Sequence, residues 1–119
     1  MKKILYVEDN VDTANAVKII LGKTGYDVDL AFTGTQGLNM VQSKAYDMIL
    51  LDIMLPDMSG WDIYAKLKAK VHSHYAFLSA IPISSERMDQ LKREGVSDYI
   101  VKPFTRDDLV LRINTVFEQ

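Results

Sequence analysis

The sequence contains no cysteine, which excludes disulfides and thiolate metal sites. It has no apolar run near the ~20 residues that a bilayer crossing requires. The basic start Met1-Lys2-Lys3 is followed only by Ile4–Val7 before Glu8-Asp9, too short for the apolar region of a signal peptide. An excess of positive charge is also missing: 14 Lys and Arg against 16 Asp and Glu give a formal net charge of −2, no footprint for direct binding of nucleic acid or an anionic membrane. No block of like charge marks a tail. No glycine-rich loop follows the first apolar run, which removes support for a dinucleotide or flavin binder. The expectation left standing is a soluble cytoplasmic protein.

What is present suits a single domain over residues 1–119. Hydrophobic residues at 48% allow a real core, and 25% charged residues match the average of a soluble chain. The stretch Asp47–Gly60, DMILLDIMLPDMSG, organises the rest. Met48-Ile49-Leu50-Leu51 reads as a short strand buried on both faces. It ends on Asp52. Pro56 then forces a turn and cannot extend a central strand. Asp52 is therefore placed at the rim of a sheet, where open α/β folds bind ligands.

Four further strands and five helices follow from the same signals. Lys3–Val7 is strand one, and Asn10 caps a helix with Ala14, Val17, Ile20 and Leu21 on one stripe, ending before Gly25. Tyr26–Phe32 alternates in part and reads as a half-exposed edge strand. Thr33 with Gln36 fits a capping box for a second helix running to about Lys44, Leu38 and Val41 inward. Ser59 with Asp62 opens a third, striped by Trp61, Tyr64, Leu67 and Val71. His72-Ser73-His74 is a polar break, read as loop with surface histidines. Tyr75–Ala80 is strand four, interrupted by Ile81-Pro82. Ser84 or Ser85 caps helix four, with Met88 and Leu91 inward and Gly95 at its end. Asp98–Val101 is strand five. Thr105 with Asp108 opens helix five, with Leu109, Val110, Ile113 and Val116 inward. Five strand–helix steps with short loops, joined by right-handed crossovers, predict an α/β doubly wound parallel sheet. The flavodoxin-like (βα)5 order 2-1-3-4-5 makes strand two an edge, in keeping with Asp27 and Asp29.

In such a sheet all strands exit at one edge. Four exits carry polar groups: Glu8-Asp9, Asp52, Ser79 and Lys102. Taken singly, each has an ordinary explanation, since acids favour helix starts and lysines are commonly solvated. Together they are complementary. Carboxylates from neighbouring strands one and three repel unless a cation lies between them, and an all-oxygen donor set suits Mg²⁺. A metal, an ammonium and a hydroxyl form a site for a phosphoryl group, with Asp52 placed to attack phosphorus.

These residues resemble the receiver domain of two-component response regulators, the CheY-like family. The resemblance is carried by YVEDN at Tyr6–Asn10, ILLDIMLPDMSG at Ile49–Gly60, Ser79-Ala80 and DYIVKPF at Asp98–Phe104, and it covers essentially the whole chain. It implies that Asp52 is the phosphoacceptor, taking a phosphoryl group from a phosphohistidine on a sensor histidine kinase or phosphotransfer protein. It implies that Asp9, Asp52 and the backbone carbonyl of Met54 hold Mg²⁺, with Glu8 acting through a water. Lys102 and Ser79 would bind the phosphoryl oxygens. Ser79 and Tyr99 would form the switch, Ser79 shifting and Tyr99 packing inward. The Lys102-Pro103 bond is cis in the family.

Departures from the pattern are few: serine at 79 where threonine is commoner, Ile81-Pro82 ahead of helix four, and the polar lead-in to strand four. The implied protein is a phosphorylation-activated switch and not an enzyme. It acts on an unidentified downstream protein through the face of helix four, strand five and helix five, with dimerisation through that face open. In the family the positions of Met54 and Ile81 flank the phosphoryl site; both are apolar here, so neither would orient an attacking water, which predicts slow self-dephosphorylation. A Mg²⁺-dependent phosphatase with an Asp nucleophile needs a second acid two residues after Asp52, where Met54 stands. A receiver-like module that is never phosphorylated is expected to lack Asp52, an acid partner or Lys102, and all are present. The chain reaches Gln119 with no effector domain after helix five, which fits either a stand-alone regulator or the receiver of a longer protein.

Overall fold

Every apolar run becomes a strand in the computed structural model, which describes residues 1–118. The elements alternate without exception: β1 Lys3–Val7, α1 Val11–Lys23, β2 Asp27–Ala31, α2 Gly34–Ser43, β3 Met48–Leu51, α3 Gly60–Leu67, β4 His74–Ser79, α4 Ser85–Arg93, β5 Asp98–Val101 and α5 Arg106–Phe117. All pairings are parallel and the strand order is β2-β1-β3-β4-β5, the expected doubly wound sheet. Successive residues of the central strands feed opposite layers, as a period of two demands. Leu5, Val7, Ile49, Leu51 and Phe77 join the core beneath α2, α3 and α4. Ile4, Tyr6, Met48, Leu50 and Leu78 join the core beneath α1 and α5.

The caps fall where the short polar residues stand. Asn10, Thr33, Ser59, Ser84 and Thr105 each accept a backbone N–H of the first helical turn. Ser84 is therefore the cap of α4, and Ser85 its first residue. Ser59 and Asp62 form a reciprocal capping box. The Thr33 pair differs: Thr33 Oγ1 accepts from Gln36 N at 3.0 Å, but Gln36 Oε1 accepts from Phe32 N at 2.8 Å, one residue before the cap.

Two strands are shifted by a residue or two from the sequence expectation. Tyr26 is tied to the end of α1 by Tyr26 N→Leu21 O at 3.1 Å, so β2 starts at Asp27, paired with Lys3. The bond from Phe32 to Gln36 takes the chain out of the sheet after Ala31. In β4 the strand gains His74, which pairs with Met48, and ends at Ser79. The α3 stripe also changes: Ile63 is 1% exposed and carries the inner face with Tyr64 and Leu67, while Val71 lies beyond the helix and packs against the core from the following turn.

Candidate functional site

The register aligns the strand exits. Val7 pairs with Leu51, Leu51 with Phe77 and Ser79 with Val101, so the residues that follow β1, β3, β4 and β5 leave the sheet along one edge. Ligand oxygens of Glu8, Asp9 and Asp52 lie within 4.8 Å of one another, with Glu8 and Asp52 buried and Asp9 exposed. The Lys102 ammonium reaches across the sheet to Asp52 Oδ2 at 3.3 Å and closes on Glu8 Oε1. The Lys102–Pro103 peptide is cis.

Asp52 is 7% exposed. Its Oδ1 accepts from Ile53 N at 2.7 Å, which leaves Oδ2 toward Lys102 and the open rim. Gly60, the first residue of α3, packs so closely over the Asp52 carbonyl that a side chain there would collide with it. Gly60 N also donates to Ile53 O at 2.8 Å. Met54 bridges antiparallel to Ser59, fixing the backbone two residues past Asp52. Farther along the same loop, Asp57 clasps the start of α2. Its carboxylate accepts from Gly34 N, Thr35 N and Thr35 Oγ1 at 2.8, 2.8 and 2.6 Å. These bonds, the Thr35 hydroxyl foremost, hold the Asp57 carboxyl down at about 2.

The electrostatics follow from crowded carboxylates in a buried rim. Burial raises the Glu8 carboxyl, Asp52 beside it raises it further, and Lys102 opposes both. Burial and the adjoining Glu8 push the Tyr6 phenol far above its usual range, so it stays protonated and donates to Glu8 Oε1 at 3.0 Å. The donor set is three carboxylates, all oxygen, gathered around a space that a lysine neutralises only in part. That chemistry fits a hard divalent cation of the Mg²⁺ type.

Ser79 ends β4 fully buried, its Oγ accepting from Ile81 N at 3.2 Å. Tyr99 is also fully buried and stands inward, its hydroxyl donating to the Ile81 carbonyl. Its ring lies 6.1 Å from Phe77 and 6.3 Å from Trp61, and Trp61 is 4.3 Å from Phe77. The Arg87 guanidinium of α4 sits 5.6 Å over the Trp61 ring. His74 starts β4 at the opposite edge of the sheet, 3.4 Å from Ser97 Oγ, so the histidines are remote from the acidic group.

A family model described as the response regulator receiver domain matches residues 4–114. The chain belongs to the response regulator receiver family. Among curated relatives, the transcriptional regulatory protein DltR of Streptococcus agalactiae is 39% identical over 112 residues, 93% of this receiver and 50% of that protein. This receiver spans about half the length of the curated relatives it matches. The Francisella response regulator 1452 receiver domain superposes with a TM-score of 0.87 at 29% identity, covering 99% of this chain and 98% of that one. TrrA of Thermotoga maritima, solved in complex with Mg²⁺ and BeF, gives 0.82 at 30% identity, covering 98% and 99%. No helix among the described residues of the receiver is long and apolar enough to cross a membrane.

Sequence reasoning found every residue gathered at this rim except two. Tyr6 enters the sequence reading only within an apolar run and the YVEDN motif, with no role at the rim, although a tyrosine two residues before a buried acid shares its face. Asp57 has no role in the sequence reading beyond its place in the stretch Asp47–Gly60, and its partners lie 22 and 23 residues away.

Proposed function

We propose that residues 1–119 act as one receiver domain in which Asp52 accepts a phosphoryl group in a Mg²⁺-dependent reaction. The observation that carries the reading is the convergence of Glu8, Asp9, Asp52 and Lys102 from three strand exits onto one rim. Asp52 Oδ2 attacks phosphorus, the P–N bond of a kinase or phosphotransfer-protein phosphohistidine breaks, and its electron pair returns to the imidazole. Lys102 turns from Glu8 and Asp52 toward the transferring oxygens and stabilises their charge. Asp9, Asp52 and the Met54 carbonyl would hold Mg²⁺, with Glu8 acting through a water. When bound, the ion supplies neutralisation of the transferring phosphoryl group.

Arrival of the phosphoryl group gives the Ser79 O–H an anionic acceptor, competing with the bond in which Ser79 Oγ accepts from Ile81 N. Ser79 turns toward it, and the loop from Ile81 to Ser84 follows. Tyr99 holds that loop through the Ile81 carbonyl, and its inward packing is the arrangement expected of the activated switch. The population shift alters the α4–β5–α5 face. Exposed Val101 and Leu111 on that face support its use for a downstream protein or a second copy. DltR is named a transcriptional regulatory protein, which suits control of an output by this face.

The test is intact mass after incubation with Mg²⁺ and acetyl phosphate, with Asp52→Asn alongside. Gain of one phosphoryl group by the wild type alone supports the reading. No gain with either acetyl phosphate or cognate kinase, while a control receiver is modified, identifies a module that is never phosphorylated.

A further inference from the structure

Tyr6 places a phenol inside an otherwise aliphatic strand, Ile4-Leu5-Tyr6-Val7, and no part of it reaches solvent. An enclosed tyrosine hydroxyl must find a partner. The partner is Glu8, two residues on and therefore on the same face of the chain, with Tyr6 Oη donating to Glu8 Oε1 at 3.0 Å. Lys102 Nζ donates to that same oxygen, and Asn10 N donates to Oε2 at 3.3 Å. Three donors from three places thus fix one carboxylate: the floor of the sheet, the exit of β5 and the start of α1.

These donors are not equivalent. Lys102 is shared with Asp52, and phosphoryl transfer calls it away. The Asn10 amide contact, at 3.3 Å, is longer than that of Tyr6. Only Tyr6 is both buried and uncommitted elsewhere among the described residues, so it can hold Glu8 while Lys102 turns. Charge-assisted bonds of this kind are strong, and a carboxylate already oriented loses little rotamer freedom on binding an ion.

We propose that Tyr6 is a positioning residue of the phosphoryl-transfer site, its O–H pinning Glu8 beside Asp9 and Asp52 so that the acidic group is preset for a divalent cation. This rests on reading those three carboxylates as the Mg²⁺ site. Tyr6→Phe removes the hydroxyl and keeps the ring, so the fold is retained. Calorimetric titration with Mg²⁺ alone should show Kd raised about three- to tenfold, at the lower edge of what losing a supporting hydrogen bond costs a metal site. The Mg²⁺ half-saturation of acetyl phosphate labelling should rise by the same factor, with the saturated rate within about twofold of wild type. In a Glu8→Gln background Tyr6→Phe should add nothing, because its effect passes through Glu8. A lowered unfolding midpoint with unchanged Kd, or effects that add to those of Glu8→Gln, would leave Tyr6 a packing residue and overturn the proposal. Wild-type protein that binds no Mg²⁺ would overturn the site itself, and Tyr6 with it.

Discussion

Gly60→Ala should damage stability and chemistry together, because α3 begins directly on the backbone of Asp52, the proposed phosphoacceptor. A Cβ at Gly60 falls inside the contact distance of the Asp52 carbonyl oxygen, 2.9 Å from the carbonyl carbon and 3.1 Å from Ile53 Cα. Carbon atoms rest at about 3.5–4.0 Å, so the Asp52 carbon must retreat by about 0.6 Å and its oxygen by more. The obstacle is backbone at a sheet exit, and no flexible side chain can swing aside. Overpacking costs about 1–3 kcal/mol, and this case belongs at about 3. A domain stable by about 5–15 kcal/mol survives that loss. With a urea slope of about 1–3 kcal/mol per molar, the unfolding midpoint should fall by about 1–3 M. The same displacement shifts the Asp52 carboxylate relative to Lys102, and a misplacement of about 1 Å can cost about a hundredfold in rate. Urea unfolding followed by circular dichroism, and acetyl phosphate labelling at fixed Mg²⁺, are the assays. A midpoint within about 0.3 M of wild type, or a stability loss with labelling rate unaltered, would refute the coupling of α3 to Asp52.

Three further outcomes are expected. Arg112 donates to Asp98 at 2.9 and 2.7 Å and to the Tyr99 carbonyl at 3.0 Å. Burial pushes the Asp98 carboxyl up, and Arg112 with the Tyr99 amide outweighs it, so the net position is below 3.8. A depressed carboxylate stabilises the fold above its unfolded value, and that stability is lost as pH falls through the folded one. Arg112→Met should cost about 1–2 kcal/mol at pH 7, discounted for the partial exposure of Arg112, and the deficit should shrink below about pH 4; a deficit independent of pH in urea titrations would count against it. Asp57, held at about 2 by Thr35 and Gly34, should behave similarly: Asp57→Asn should flatten the pH dependence of stability between about 2 and 4, and an unaltered acid-unfolding curve would contradict the clasp. Met54 is 69% exposed beside the site and offers no polar atom from its side chain to water. Met54→Asn should shorten the lifetime of the phosphorylated form, read by loss of mass over time, and an equal or longer lifetime would oppose that reading.

Much of the fold was legible because a parallel sheet writes its strands as short apolar runs closed by polar exits. Lys3–Val7, Met48–Leu51 and Asp98–Val101 emerge with the bounds expected. The shifts in β2 and β4 arise where aromatic or polar residues straddle an end. Tyr26 looks like a strand residue but stacks on Phe117 at 5.4 Å, and His74 looks like loop but pairs in the sheet. In α2 the expectation followed the large residues Leu38 and Val41, which are only partly buried, whereas Gly34 and Gly37 are buried. A Cβ at Gly37 would stand 2.9 Å from Val7 Cγ2, so the helix approaches the sheet through missing side chains, which hydrophobic spacing does not register. The rim residues were readable because each ends a strand, and topology alone brings strand ends together. The Asp57 clasp and the Asp98–Arg112 fork depend on tertiary distances that no local pattern encodes.

The indole of Trp61 has a consequence beyond packing. It is the single tryptophan of the sequence, it touches Phe77, parallels Tyr99 and lies under Arg87 of α4. The indole emission, excited beyond the tyrosine band, therefore originates at the seam between α3 and the proposed switch, in contact with Phe77 and near Tyr99. The molecule carries its own unlabelled optical reporter, and a stopped-flow trace of that emission would time the proposed rearrangement behind Asp52 without any added dye.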